Sequence, residues 1–267
     1  MSDSEQIWRY PPNLPVLEAD DIHVWCGILD QPTRSFRELE QTLSLDELGR
    51  LQEIPSAILR QRFIAAHGLM RKILSRYLAI PPRQIEFFYD RRGKPCLANQ
   101  NGDRLEFNIA HSRSLALYAI TKNREIGIDV EYLRQLEKAG IIASQFFSFR
   151  ENAELRALSP ELQLEAFLSC WTRKEAYFKA RGIGITECAA QVEVTLHPGQ
   201  KARLLSLEGD AGAAADWAIH SLAPAPGYVG AVAIKNPRAR LTCWQWPGNA
   251  ESTLPRACRN ALRSQRN

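Results

Sequence analysis

The spacing of apolar and polar residues changes several times along this chain, and each change marks an element. Residues 22–29 (IHVWCGIL) alternate as a strand does. From about residue 33 to 78 the pattern is helical. Its last part, 62–74, keeps the helical period and must stop ahead of Pro81–Pro82. Residues 85–89 then read as a strand, 90–95 as a turn and 115–121 as a further strand. The second half repeats this order, with a helix over 166–180, a strand over 191–196, a turn at 197–200 and a strand over 228–234.

The repetition extends to residue detail. Ala119–Ile120–Thr121–Lys122–Asn123 resembles Ala233–Ile234–Lys235–Asn236, and the offset from Arg62 to Ile85 nearly equals that from Phe167 to Val192. A duplicated α+β unit accounts for both, and coincidence is the alternative, since helix–strand–turn–strand order is common. The predicted fold is therefore a pseudo-twofold pair of similar α+β lobes in one chain, 16–125 and 126–240, with flexible tails at 1–15 and 247–267. A ligand belongs in the cleft between the lobes.

Composition narrows the class. Of 267 residues, 45% are hydrophobic and 24% charged, as in an ordinary soluble protein. No apolar run approaches the ~20 residues that span a bilayer, and the start lacks the basic and apolar regions of a secretory signal. The six cysteines are scattered without a C-x-x-C pair, which argues against a zinc site or a disulfide framework and for a reducing cytoplasm. The net charge of +4 owes much to Arg256, Arg259, Arg263 and Arg266. That tail reads as a solvated terminus or a basic strip for an acidic partner. Basic residues elsewhere are interspersed with acids, which speaks against a nucleic-acid partner.

Two segments carry candidate chemistry. In Trp171–Thr172–Arg173–Lys174–Glu175–Ala176–Tyr177–Phe178–Lys179, helical spacing puts Trp171, Glu175 and Lys179 on one face, with Lys174 beside them. An acid and a base sharing a stripe with a Trp suggest a face turned to a site, although an i,i+4 surface pair reads the same way. In Gly127–Ile128–Asp129–Val130–Glu131, strand alternation puts both carboxylates on one face. Such a pair is either a solvated strand end or a cation site. Oxygen donors of this kind suit Mg²⁺, and Glu175 would complete a three-carboxylate cluster.

Other segments offer phosphate chemistry. Gly93–Lys94–Pro95 is a tight turn presenting a Lys, and Phe107–Asn108–Ile109–Ala110–His111–Ser112 ends an extended run with a His and a hydroxyl. His111 is either a phosphate donor or structural. Arg62 and Arg71 are nine apart and are expected on a similar helix face, with Arg50 before them.

In order, Gly93–Lys94–Pro95, Asn108–Ile109–Ala110–His111–Ser112, Gly127–Ile128–Asp129–Val130–Glu131, Phe146–Phe147–Ser148 with Glu151, and Trp171 with Lys174–Glu175–Ala176 and Lys179 make a specific combination. Over roughly residues 44–236 the chain resembles the 4′-phosphopantetheinyl transferases of the large two-lobed, surfactin-synthetase-activating type. The resemblance implies an enzyme that binds coenzyme A and Mg²⁺ between its lobes. It would move the phosphopantetheine arm onto a serine of an apo acyl, peptidyl or polyketide carrier and release adenosine 3′,5′-bisphosphate. Asp129, Glu131 and Glu175 would hold the metal. Arg50, Arg62, Lys94, Pro95, His111, Ser112 and Lys179 would bind coenzyme A, and Glu151 or Glu175, with Lys179, would take the serine proton. Glu151 also fits a plain helix-start acid.

At the positions aligned with His67 and Glu47 the family often has Arg, and Lys or Arg, so the adenosine side departs from the pattern. Some relatives have Gln where Glu131 stands. Phe146, Phe147 and Phe149 read equally as a carrier-docking surface or as core, and a cleft complete within one chain predicts a monomer. The alternative is a catalytically silent module that binds coenzyme A or carriers; a nucleic-acid-binding protein using the Arg-rich tail is a remote third.

Overall fold

The computed structural model describes residues 6–11, 15–89, 94–98, 103–185 and 187–247. The elements of the first half are β1 (Trp8–Arg9), β2 (Asp21–Ile28), α1 (Thr33–Glu40), α2 (Leu45–Leu51), α3 (Ala57–Leu78), β3 (Phe87–Tyr89), β4 (Pro95–Leu97), β5 (Leu105–Ser112) and β6 (Leu115–Lys122). The second half contributes β7 (Ile126–Tyr132), α4 (Ala139–Phe146), α5 (Phe149–Ala157), α6 (Pro160–Ala180), β8 (Val192–Val194), β9 (Leu204–Leu207), α7 (Ala211–Ala215), β10 (Ala218–Leu222), β11 (Tyr228–Ile234) and β12 (Arg240–Gln245).

Local chemistry sets the ends of the long helices. Ser56 caps α3 by accepting from the Leu59 amide, and α3 closes on Ala79 in the left-handed region, just before Pro81–Pro82. Pro160 begins α6, where its missing N–H costs nothing.

The duplication is visible in the topology. Each half runs strand, long helix, two-stranded hairpin, strand, strand. In space the repeated strands order as β2-β6-β5 within the first sheet and β7-β11-β10 in the second, and within each of these triplets the neighbours are antiparallel. The two similar strand ends, at Asn123 and Asn236, follow the equivalent strands β6 and β11. Even the buried ion pairs repeat. Ser44 and Glu47 form a capping box on α2, and Glu47 meets Arg71 of α3 at 2.6 Å. Ser148 and Glu151 form the same box on α5, and Glu151 meets Lys174 of α6 at 2.7 Å.

Three cores follow. One lies between α3 and its sheet around Trp25, Leu69 and Tyr118, and another between α6 and its sheet around Phe167, Tyr177 and Ala231. The third is shared: Val24, Leu117 and Ala119 of the first sheet pack on Ile128, Val130 and Val232 of the second. The sheets meet at their β5 and β7 edges, which lie side by side.

Sequence patterning missed β1, β4, β9, β10 and β12. After β11 the chain returns to the first sheet, where β12 lies parallel to β2 and β1 lies parallel to β12. Strand β3 starts at Phe87, two residues later than its apolar run, because a 3₁₀ turn at Pro82–Gln84 leads into it. Strand β8 is shorter than expected and irregular at Glu193/Val194. The expected turn at 90–95 lies outside the described residues up to 93, as does the Arg-rich tail.

Candidate functional site

Strand β7 alternates as its sequence demands. Ile128 and Val130 are fully buried in the shared core, while Gly127, Asp129 and Glu131 point the other way, toward α6. Gly127 is where strand and helix touch: a Cβ there would lie 2.1 Å from the Ala176 carbonyl oxygen and 2.3 Å from the Ala180 nitrogen. Only glycine permits this approach, and the approach brings the two carboxylates beneath the stripe of α6. Trp171, Glu175 and Lys179 form that stripe, each partly exposed, and all three line a cleft of about 870 Å³ together with Asp129 and Glu131.

The first lobe supplies the opposite wall. His111 and Ile109 come from β5, Arg113 follows them, and Arg62, Phe63 and His67 come from α3. The phenyl of Phe63 stacks on the His67 imidazole at 3.9 Å, and His67 Nδ1 is 2.9 Å from Glu47. Leu29, Ile54 and Leu59 make the apolar part of this wall.

The electrostatics are concentrated on Asp129. Lys179 Nζ donates to its Oδ1 at 2.6 Å, whereas Oδ2 is buried without a hydrogen-bond partner. Burial pushes the Asp129 carboxyl up to about 7 against the pull of Lys179, and the nearby Glu175 and Glu131 add to the rise. Glu175 is raised in the same way, by burial first, with Lys179 opposing and Glu131 adding. His111 is lowered by burial and by Lys179 and His67, with Glu131 opposing, which favours a neutral imidazole. Glu131 is held by the Ser112 hydroxyl, which donates to its Oε2 at 3.0 Å. No group of three His, Cys, Asp or Glu side chains among the described residues is gathered at metal-ligating distance.

Two family models match the chain in tandem. Residues 32–123 match 4′-phosphopantetheinyl transferase, N-terminal, and residues 125–233 match the 4′-phosphopantetheinyl transferase superfamily. The 4′-phosphopantetheinyl transferase HetI of Nostoc sp. is 40% identical over 225 residues, which cover 84% of this chain and 91% of that relative. The chain belongs to the 4′-phosphopantetheinyl transferase family. The transferase psf-1 of Bacillus pumilus is 27% identical over 215 residues (79% of this chain, 88% of the relative). The transferase AcpT of Salmonella typhimurium is 36% identical over 143 residues (53% and 70%). The protein is thus an enzyme that transfers the phosphopantetheine arm of coenzyme A to carrier proteins.

Within this transferase several expected site residues stand elsewhere. Glu151 does not reach the cleft: it is fully buried, paired with Lys174, and accepts from the Ser148 and Val194 amides at 2.7 and 2.8 Å. Lys174 faces the interior too, donating to the carbonyls of Phe146, Ala189 and Val192. Arg62 and Arg71 do not share a face. Nine residues at about 100° each leave them half a turn apart, so Arg62 lines the cleft while Arg71, 2% exposed, bonds to Glu47 and to the carbonyls of Pro82 and Ile85.

Lys94 donates to the carbonyls of Ile126 and Lys179 at 3.3 and 3.0 Å, behind the stripe, and Pro95 opens β4 against Tyr89. The Arg50 guanidinium lies over the Tyr89 ring, 4.4 Å from its centroid. Among the described residues none of these three lines the cleft. Of the three phenylalanines, Phe147 is core, Phe146 packs edge-on against Trp171, and Phe149 is 92% exposed. Sequence patterning does not mark Phe63 or Arg113 as ligand-facing, whereas His67, aligned with an adenosine-side position, does line the cleft. Phe63 and His67 share an i,i+4 stripe with Leu59 and Arg62 beside them, a signal the helical period does carry.

Proposed function

We propose that this transferase takes coenzyme A and Mg²⁺ in the interlobe cleft and acts on a serine hydroxyl of apo acyl, peptidyl or polyketide carriers. One observation carries the proposal: three acids and a lysine converge on the cleft, and one of the acids keeps a buried, unpartnered oxygen. Buried polar atoms are rarely orphaned, and a cation is what this donor set lacks.

The donor chemistry suits the metal, although the three carboxylates are not gathered at ligating distance. Asp129, Glu131 and Glu175 are hard oxygen donors, and Lys179 already places a positive charge on one Asp129 oxygen. When bound there, Mg²⁺ would supply charge neutralisation at the pyrophosphate. Lys179, Arg62 and His111 line the same cleft and are assigned to the phosphates, His111 as a neutral N–H donor. With Glu151 committed to Lys174, Glu175 is the base. Its burial-raised carboxylate accepts the serine proton, directly or through water, as the serine oxygen bonds to the phosphorus that carries pantetheine. The pyrophosphate P–O bond breaks and adenosine 3′,5′-bisphosphate leaves.

The cleft draws both walls from one chain, none of the five described cysteines is in a disulfide, and no helix of the described residues is long and apolar enough to cross a membrane. The single-chain cleft supports a monomer, and the free thiols suit a cytoplasmic enzyme. Mass spectrometry of a panel of apo carriers, mixed with enzyme, coenzyme A and Mg²⁺, tests the proposal. The expected result is a gain of one phosphopantetheine on the carrier serine that disappears when EDTA is added. Transfer that persists fully in EDTA overturns the metal assignment, and no transfer to any carrier overturns the substrate assignment.

A further inference from the structure

Strand β7 is hydrogen-bonded to β11 along one edge only. Its other edge faces β5 of the opposite lobe, and no backbone ladder joins the two strands. Amides on such an edge need partners, since a buried N–H without one costs about as much as a lost hydrogen bond. Two β5 side chains supply them. Asn108 Oδ1 accepts from the Ile128 amide at 2.9 Å, and Ser112 Oγ accepts from the Tyr132 amide at 3.1 Å. Asn108 and Ser112 are four residues apart, as are Ile128 and Tyr132, so the spacing matches on both strands and admits a single register. Having accepted from Tyr132, the Ser112 hydroxyl directs its own proton to Glu131 Oε2 at 3.0 Å.

We infer that Asn108 and Ser112 form a two-point clip joining the lobes, and that Ser112 is a positioning residue that orients Glu131 for the cation. The inference moves Ser112 from the coenzyme A contacts to the protein's own scaffold. Asn108, at 6% exposure, likewise serves the seam between the sheets. One site acid on the second lobe is thereby aimed by a side chain of the first, which ties the cleft's geometry to the seam. The orienting role rests on the metal reading above; the clip does not.

The test compares full-length wild type, Ser112→Ala and Ser112→Thr, which keeps the hydroxyl. Amide exchange is followed at Ile128 and Tyr132 by NMR, Mn²⁺ uptake by the EPR signal of the free ion without coenzyme A, and coenzyme A binding in EDTA by calorimetry. In Ser112→Ala, the Tyr132 amide should exchange several-fold faster while Ile128 stays protected. Mn²⁺ affinity should fall roughly tenfold, as for other residues that orient metal ligands, and metal-free coenzyme A binding should be unchanged. Ser112→Thr should restore both properties. Unaltered Tyr132 exchange overturns the clip. Unaltered Mn²⁺ affinity overturns the orienting role, and weakened coenzyme A binding in EDTA returns Ser112 to the phosphates. A wild-type enzyme that takes up no Mn²⁺ overturns the metal reading instead, and the clip is then decided by the Tyr132 amide alone.

Discussion

Replacing Lys174 by Met should be among the most destabilising single changes in this protein, while leaving the chemistry of the cleft in place. The ammonium and the Glu151 carboxylate are both fully buried and 2.7 Å apart. Removing the cation strands a buried carboxylate whose remaining partners are two amides and the Cys170 thiol, and it strips a donor from the carbonyls of Phe146, Ala189 and Val192. Breaking a buried pair from one side costs about 3–5 kcal/mol. At roughly 2–4 °C per kcal/mol for a chain of this size, Tm should fall by about 6–20 °C.

Glu151→Gln should cost a similar amount, and the double variant less than the sum, because no buried charge is then left unpaired. Thermal denaturation gives the cycle, and kcat is measured well below the transition of each variant. Retained kcat in Glu151→Gln, within a few-fold of wild type, is the expected result. A variant with unchanged Tm and kcat reduced a thousandfold would place Glu151 at the reacting atoms and refute the reasoning. The equivalent pair in the first lobe, Glu47 with Arg71, provides an internal control with the same buried geometry.

Asp129→Ala should fold with the wild-type circular dichroism spectrum and show no carrier modification by mass spectrometry; normal turnover would refute the metal assignment. Gly127→Ala drives a methyl into the backbone of α6, so it should lose at least about 3 kcal/mol in urea titration, at or beyond the upper end of the range for overpacking. For Glu47, burial would raise the carboxyl, yet hydrogen bonds from His67 and the Ser44 amide and the charges of Arg71 and His67 hold it down at about 2. A folded value below the ordinary 4.5 means stability that is fully present above pH 4.5 and is lost as pH falls toward 2. Glu47→Gln should flatten that part of the stability–pH curve, and an unchanged slope would show that the carboxylate gains nothing from its partners.

Much of the site was legible from local periodicity. A strand alternates faces every residue, so Asp129 and Glu131 had to share one, opposite Ile128 and Val130. A helix returns every 3.6 residues, so Trp171, Glu175 and Lys179 had to form a stripe. These are properties of a backbone segment by itself, and the matching periodicity of the two halves announced the duplication for the same reason. Other features depended on partners far away in the chain. Whether Glu151 faces a cleft or a lysine is decided by the packing of α5 against α6 and β8, and a capping-box Glu looks the same in either case. The return of β12 to β2 pairs residues more than two hundred positions apart, such as Arg240 with Asp21, and short apolar runs carry no record of their partner. Asn108 and Ser112 resemble any polar strand residues until β7 lies beside them. Segment periodicity thus determined which side chains share a face, whereas the burial of each charge and its counter-charge came from long-range packing, because desolvation and pairing exist only once the lobes are joined.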